Sequence, residues 1–135
     1  MEIAINYWAV LVAAVVNMAI GALWYGPVFG KMWMRLSGFT KESMKDMALS
    51  PVQAMAGGFI LSLVIAYVLG HFIGIVSQLG FSGYALGFWV WLGFAMPTAS
   101  HGFLWEGKPF TLFVLNVAYL LVAYLAMGGV LTAWM

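Results

Sequence analysis

Three polar side chains lie inside long apolar stretches of this 135-residue sequence, and they are the first candidates for chemistry. Asn17, His101 and Asn116 carry amide or imidazole groups that are costly to surround with hydrocarbon. Such side chains either join helices through hydrogen bonds or form a site for a solute or a proton. At about 1.5 Å of rise per helical residue, Asn17 and Asn116 lie about 10 to 12 Å from the inner, basic ends of their segments.

From these depths we expect six residues to lie close together and form one candidate site. Tyr119 follows Asn116 by three residues and so shares its helix face, and His101 lies one turn deeper than Trp105. We expect the side chains to meet in the inner half of the molecule, with Glu106 near the mouth. The candidate cluster is Asn17, Tyr25, His101, Glu106, Asn116 and Tyr119. The alternative is that its amides only hold helices together, which contributes about 0.6 kcal/mol for each bond.

Other kinds of reactive site have less support. The chain contains no cysteine, which excludes disulfides, thiolate ligands and thiol catalysis. His71 and His101 lie roughly 20 Å apart in depth, so they cannot both bind one haem, and a single-histidine metal or pigment site is the remaining option. No Ser-His-acid arrangement, paired carboxylates or phosphate-binding glycine loop is present. We predict no metal, no cofactor and no catalytic residue, whereas a bound lipid fits the composition.

The composition places these residues in a membrane. Hydrophobic residues make up 65% of the chain and charged residues 7%, and the mean hydropathy is +1.03. Soluble domains are about 45–50% apolar and about 25% charged, and so few charges cannot cover a soluble surface of this size. The net charge of +1 also argues against a nucleic-acid partner.

Four apolar segments are long enough to cross a bilayer, since a spanning helix needs about 20 residues. The predicted spans are residues 6–25, 52–74, 83–104 and 110–134. Short connections make sequential helices antiparallel neighbours. The sequence therefore predicts an all-α, polytopic membrane protein in which residues 1–135 form a single domain, an antiparallel four-helix bundle.

The basic residues predict the orientation of this bundle. Four of the five Lys and Arg residues lie in the connection formed by residues 26–51, and the fifth is Lys108 in the third connection. The positive-inside rule places both connections in the cytoplasm and both termini outside. Glu2 is then the only charge at the outer end.

The long connection has a helical pattern of its own. Apolar residues recur at helical spacing beside a basic face that contains Lys31 and Arg35. The apolar positions are Phe29, Met32, Trp33 and Leu36. This pattern predicts a short amphipathic helix on the inner leaflet, which either binds lipid or a partner or simply covers the end of the bundle.

Small residues recur at every fourth position of the second span and predict close helix packing, because van der Waals contact drives helix association in lipid. The members of this stripe are Ala54, Gly58, Ser62, Ala66 and Gly70. Packing within one bundle and a subunit interface both fit the pattern. Gly83 and Gly87 begin a shorter series on the third span, where Pro97 lacks an N–H and predicts a kink or local unwinding.

Several short motifs together resemble a known family. They are Asn6-Tyr7-x-Ala9-Val10, Gly21-Ala22-Leu23-Trp24-Tyr25-x-Pro27, Phe29-Gly30-Lys31-x-Trp33, Trp105-Glu106-Gly107-Lys108-Pro109 and Leu112-Phe113-x-x-Asn116-x-x-Tyr119. In this order they resemble the bacterial membrane-protein family catalogued as domain of unknown function 1761. The resemblance implies a four-span protein of the bacterial inner membrane without an assigned activity, and it draws attention to Trp24, Tyr25, Glu106, Asn116 and Tyr119.

Function is less constrained than architecture. The small-residue stripe favours a non-enzymatic, oligomeric scaffold or an accessory subunit of a larger membrane complex. The alternative is a small-solute or ion transporter or channel whose path passes the polar cluster. An intramembrane enzyme has the weakest support, because Glu106 and His101 are the only candidates for proton transfer.

Overall fold

The structure is a computed structural model that describes residues 4–134, so the predicted outer charge Glu2 lies outside the described residues. Every regular element in this range is helical. The α-helices are α1 Tyr7–Leu23, α2 Gly30–Ser37, α3 Lys41–Lys45, α4 Pro51–Ser77, α5 Gly83–Val90, α6 Met96–Ala99, α7 His101–Leu104 and α8 Phe110–Ala133. Two π-helical turns, here named the first and second π-turn, occupy Trp24–Val28 and Trp91–Ala95.

Three helices are long and apolar enough to cross a membrane. They are α1 continued through the first π-turn, α4 and α8, with 22, 27 and 24 residues respectively. Large apolar side chains such as Ile60, Leu61 and Val64 lie exposed on their outer faces. The all-helical architecture and the membrane-like character predicted from the composition are thus both present in the described residues.

The predicted third span, residues 83–104, is divided rather than continuous. Pro97 has no N–H and cannot complete an α-helical hydrogen bond. Just before it, the N–H of Met96 reaches back five residues to the carbonyl of Trp91, which forms the second π-turn. Beyond it, the Ser100 hydroxyl donates to the Pro97 carbonyl at 2.5 Å, where α6 gives way to α7. The predicted unwinding therefore consists of a π-turn followed by two short helices.

The first π-turn has the same origin. It contains Pro27, and the N–H of Phe29 donates to the carbonyl of Trp24 at 2.9 Å, again across five residues. A π-turn inserts one extra residue, so the side chains beyond it are rotated by about 100° around the helix axis. The turn ends α1 and leads into α2.

Two polar residues define the starts of the long helices. Asn6 caps α1, because its Oδ1 accepts from the N–H groups of Trp8 and Ala9 at 3.0 and 3.2 Å. Ser50 caps α4 in a reciprocal pair with Gln53 at 3.1 and 3.0 Å. Both caps satisfy N–H groups that have no partner within the helix.

Helix α1 packs against both α4 and α8. Its face toward them is made of fully buried alanines, including Ala9 and Ala13, which let the helices approach closely. Larger side chains fill the space around them, among them Leu69, Ile73 and Met127. The core therefore consists of small residues on α1 and of larger apolar side chains from α4 and α8 that pack against them.

Hydrogen bonds at both ends show how α1 and α8 are aligned. At one end, the Asn6 amide donates to the carbonyl of Trp134 at 3.1 Å. At the other end, the Trp24 indole donates to the carbonyl of Leu115 at 3.1 Å. The two helices therefore run in opposite directions, and the described N- and C-terminal residues lie at the same end of the molecule.

Glycines allow an even closer approach between α5 and α8. A Cβ atom on Gly83 would collide with the Gly128 carbonyl and the Thr132 hydroxyl, and one on Gly87 would lie 2.6 Å from the carbonyl oxygen of Tyr124. The Thr132 hydroxyl is buried without a hydrogen-bond partner among residues 4–134. This crossing is backbone against backbone and leaves no room for side chains.

The small-residue stripe on α4 is divided between interior and surface. Ser62, Ala66 and Gly70 are buried within the chain, and Gly58 is half-buried against the Met18 thioether. Ala54, at the start of the stripe, is exposed. Most of the stripe therefore serves packing inside the chain, and only its first turn faces outward.

The predicted connection helix begins one residue after Phe29. Helix α2 ends at Gly38, whose φ of 77° favours glycine. Its Trp33 ring lies edge-on to Tyr25 at 5.9 Å and tilted against Phe39 at 5.5 Å. These aromatic contacts hold α2 against the end of α1.

Gly87→Ala should lower the free energy of unfolding by about 1–3 kcal/mol, because the added methyl overpacks the α5–α8 crossing. The measurement is reversible unfolding in mixed detergent micelles. Gly57→Ala is the matched control, since no atom lies within 4 Å of its Cβ position. Equal stability of the two variants would contradict the close crossing.

Candidate functional site

Asn17 joins three helices through its side chain. Its Nδ2 donates to the Ser62 hydroxyl of α4 at 2.7 Å, and its Oδ1 accepts from the Tyr119 hydroxyl of α8 at 2.6 Å. The Ser62 hydroxyl donates in turn to the Gly58 carbonyl at 2.8 Å. Asn17 is only 8% exposed, so these bonds replace the partners that lipid cannot supply.

A second polar pair adjoins the first. The Tyr25 hydroxyl donates to the Asn116 Oδ1 at 2.7 Å, which connects the first π-turn to α8. The Tyr25 and Tyr119 rings meet edge to face at 5.4 Å, so the two pairs form one continuous cluster. Both aromatic rings shield the hydrogen bonds from hydrocarbon.

Two indole groups donate to the backbone of α8 on either side of Asn116. Trp24 donates to the carbonyl of Leu115 at 3.1 Å, and Trp91 donates to the carbonyl of Val117 at 2.8 Å. A helical carbonyl has a second lone pair and can accept such a bond without losing its own. Both tryptophans are the first residues of the two π-turns, so each π-turn is fastened to the same turn of α8.

A cavity of about 280 Å³ opens beside this cluster between α2, α7 and α8. Half-buried Asn116 lines its deep side, and exposed Glu106 and Lys108 line its rim. Trp33 and Phe113 belong to its aromatic walls. The cavity thus combines an amide, a carboxylate and an ammonium group with apolar walls.

The loop before α8 places the side chains of Glu106 and Lys108 beside Gly102. The N–H of Lys108 donates to the Gly102 carbonyl at 2.9 Å, and Gly107 has a φ of 69° that allows this turn. A Cβ on Gly102 would lie 3.7 Å from both the Glu106 Oε2 and the Lys108 Cγ. The missing side chain at Gly102 therefore leaves space beside the Glu106 carboxylate and the aliphatic stem of Lys108.

The structure brings together four of the six predicted cluster residues. Asn17 and Tyr119 form one hydrogen-bonded pair, and Tyr25 and Asn116 form the other. Glu106 is exposed and lines the adjoining cavity.

His101 is the exception among the predicted residues. It is exposed, does not line the cavity and makes no side-chain hydrogen bond to the other five residues. Its depth, counted one turn from Trp105, left the rotation of this segment around α8 open, and the second π-turn and the break at Ser100 change that rotation relative to a continuous helix from Gly83. His101 therefore does not belong to the hydrogen-bonded cluster in the structure.

The sequence did not predict two participants in this network, Ser62 and Trp91. Ser62 is the hydrogen-bond partner of Asn17, although its small size suggested only packing. Trp91 bonds the backbone of α8 from within the predicted third span. Trp24, to which the family resemblance drew attention, makes the corresponding bond from the first π-turn. A proline follows each tryptophan by three or six residues, at Pro27 and Pro97.

The remaining histidine bonds within its own helix. The Nδ1 of His71 lies 2.8 Å from the Tyr67 carbonyl one turn before it. Across the described part of the chain, no group of three or more His, Asp and Glu residues is arranged to hold a metal ion.

The arrangement separates two chemical roles. The Asn17 and Tyr25 bonds are closed within the protein, and their effect is to join helices. The cavity is open, Asn116 is one of its lining residues, and the Asn116 Nδ2 makes no hydrogen bond within residues 4–134. Of the two, only the cavity leaves polar groups available to a ligand.

A double-mutant cycle on Asn17→Ala and Tyr119→Phe should give a coupling free energy near 0.6 kcal/mol and not above about 1.7 kcal/mol. The measurement is unfolding of the single and double variants in lipid–detergent bicelles. The control pairs Tyr119→Phe with Ser77→Ala, whose hydroxyl bonds only the Gly74 carbonyl of its own helix; this pair should be additive. A cycle with no coupling between Asn17 and Tyr119 would refute the bond.

Comparison with known proteins agrees with the motif resemblance. The family model described as "Protein of unknown function (DUF1761)" matches residues 8–132. No curated protein and no solved structure matches the chain. The resemblance predicted from the five motifs is thereby confirmed over nearly the whole sequence, and the chain belongs to the DUF1761 family of proteins of unknown function.

Proposed function

We propose that this chain is a four-span protein of the bacterial inner membrane that has no enzymatic activity of its own and acts as a scaffold or accessory subunit of a membrane assembly. The observation that carries the proposal is the pairing of the polar side chains of the central cluster with one another. Asn17, Tyr119 and Tyr25 all form hydrogen bonds with neighbouring helices. These buried groups are therefore occupied in joining helices, and contacts with other subunits fall to the outer, largely apolar surface.

Contacts along α8 support a fourth span. The divided segment from Gly83 onward follows α8 over nearly its full length. Gly83 lies against Gly128, Trp91 bonds Val117, and Phe103 packs on Phe113 with ring centroids 6.2 Å apart. A segment that accompanies a 24-residue apolar helix over this distance crosses the same thickness of membrane.

The position of the two basic connections supports the proposed orientation. Ser37 of the first connection and Lys108 of the third line the same cavity, so the basic residues of both lie at one end of the molecule. Asn6 and Trp134 meet at the other end. The positive-inside rule then favours cytoplasmic connections and external termini.

Helix α2 supports a position on the inner leaflet. Its Lys31 and Arg35 are exposed, whereas Trp33 and Leu36 are half-buried against the rest of the chain. Each basic side chain near an anionic membrane surface contributes about 1 kcal/mol of attraction. We expect α2 to lie along the lipid headgroups with its basic face toward them.

Transport through the polar cluster has less support than a scaffold. A solute path through Asn17 would have to break bonds that join α1, α4 and α8. The cavity reaches Asn116 and stops at its bond with Tyr25. If liposome flux is nevertheless found and Asn116→Leu abolishes it, transport replaces the scaffold proposal.

We assign subunit contact to the surface formed by Ala54, the exposed first member of the α4 stripe, and by Gly57 beside it. Both residues are exposed, and no atom within residues 4–134 lies within 4 Å of the Gly57 Cβ position. Small residues on a lipid-facing helix permit close approach of another helix. The buried members of the stripe are already used within the chain.

The four-span topology is testable because the chain has no native cysteine. Gln78→Cys should react with a membrane-impermeant thiol reagent from the periplasmic side of intact spheroplasts. Ser43→Cys and Lys108→Cys should react only after the membrane is permeabilised. Labelling of Gln78→Cys and Lys108→Cys from the same side would show that residues 83–104 do not cross.

The scaffold role predicts a change in assembly size. Ala54→Leu and Gly57→Leu add bulk at the exposed start of the stripe without an internal clash, so the native assembly should become smaller in mild detergent or in nanodiscs. Light scattering or native mass spectrometry measures its mass. Ala22→Leu, on an exposed position of α1, is the matched control. A wild-type protein that is monomeric, or an assembly unaffected by both changes, would contradict the role.

A further inference from the structure

We propose that the cavity between α2, α7 and α8 binds a phosphoethanolamine group, supplied by the headgroup of a membrane phospholipid. The site goes beyond the scaffold role and does not depend on it. It requires only that the rim of the cavity lies at the level of the lipid headgroups, where the proposed topology puts it.

Two opposite charges at the rim match the two charges of this ligand. Glu106 and Lys108 are both exposed, and the Glu106 Oε2 and the Lys108 Cγ each lie 3.7 Å from the position that a Cβ on Gly102 would occupy. A carboxylate binds an ammonium group and a lysine binds a phosphate through charge-assisted hydrogen bonds. A ligand that carried one charge only would be repelled by one of the two side chains, so the pair selects a zwitterion.

The deep side of the cavity supplies a further donor for the phosphate. The Tyr25 hydroxyl donates to Asn116 Oδ1 and thereby fixes the orientation of the amide. Asn116 Nδ2 has no hydrogen-bond partner among the described residues, and Asn116 is one of the residues that line the cavity. Its N–H groups can therefore reach a phosphate oxygen while Lys108 neutralises the charge.

Aromatic walls suit the ammonium group. Trp33 and Phe39 both line the cavity, with ring centroids 5.5 Å apart. A cation over such rings gains cation–π attraction, which is strongest for tryptophan. Together with the Glu106 carboxylate, these rings form an environment for a primary ammonium group.

Size and surroundings favour a lipid as the source. The volume of about 280 Å³ falls below the roughly 300–1,000 Å³ typical of pockets for drug-sized ligands, so a headgroup-sized moiety fits. Next to the rim, Leu104, Trp105 and Phe110 are exposed. Acyl chains attached to a bound headgroup would cover these apolar side chains, which a free solute would leave uncovered.

Native mass spectrometry of the full-length protein, released from nanodiscs with equal parts of three lipids, tests the proposal. The lipids have phosphoethanolamine, phosphocholine and phosphoglycerol headgroups. We expect the phosphoethanolamine lipid to be retained preferentially, since a quaternary ammonium cannot donate hydrogen bonds to Glu106 and phosphoglycerol lacks the cation. Equal retention of all three lipids would overturn the proposal.

Paired variants separate recognition from nonspecific charge effects. Glu106→Gln should lower the preference for the phosphoethanolamine lipid about tenfold, as expected for one lost charge-assisted bond. Lys108→Gln should lower the retention of all three lipids about tenfold, because they share the phosphate that Lys108 binds. Glu42→Gln and Lys45→Gln make the same charge changes on α3, outside the cavity, and should leave preference and retention unchanged. Equal losses in the α3 variants would refute the site. Gly102→Leu fills the space beside the Glu106 carboxylate and the Lys108 stem and should abolish retention with both charges intact.

A competition arm identifies the source of the headgroup. Soluble phosphoethanolamine should displace the lipid only at a large excess, because it lacks the contacts with Leu104 and Trp105. Binding of soluble phosphoethanolamine without retention of the lipid would overturn the lipid source. The same spectra report the mass of the assembly, so failure of the scaffold role and failure of the lipid site are distinguishable.

Discussion

A bilayer interior offers no hydrogen-bond partner to a polar group, and the remainder of this structure depends on how the chain meets that constraint. One turn of α8 accepts three of the hydrogen bonds that satisfy this constraint. The carbonyls of Leu115 and Val117 accept indole N–H groups, and Asn116 between them accepts the Tyr25 hydroxyl. Through these bonds α8 holds the first π-turn on one side and the second π-turn on the other.

Small residues make this arrangement geometrically attainable. The buried alanines of α1 and the glycines of the α5–α8 crossing bring the backbones close enough for short polar side chains to reach across. With a larger residue at Gly87, the α5 backbone would be displaced from Tyr124, and the Trp91 indole that follows one turn later could not reach Val117. The close packing of the helices and the hydrogen bonds between them therefore depend on each other.

The sequence was sufficient to predict the helical architecture and three of the four apolar spans, and four residues of the predicted polar cluster lie together in the structure. Composition and segment length dictate the spans, and the depths of Asn17 and Asn116 place them beside Tyr119 and Tyr25 because the helices are nearly regular there. His101 lay beyond such reasoning, since a π-turn changes the register by an amount that spacing alone does not reveal. Helix rotation also decides which face of the α4 stripe is buried, and periodicity leaves that rotation open.

The division between a closed interior and an open cavity connects the architecture to function. Buried polar groups that are satisfied by each other stabilise one arrangement of helices, which suits a scaffold, whereas the charged rim at Glu106 and Lys108 remains free to bind. Both features rest on the attachment of the two π-turns to α8. Solid-state NMR dipolar recoupling in lipid bilayers measures that attachment directly, with isotope labels on the tryptophan indole nitrogens and on the leucine and valine carbonyl carbons. We expect contacts from Trp24 to Leu115 and from Trp91 to Val117; absence of the Trp91 contact in well-folded protein would contradict the attachment.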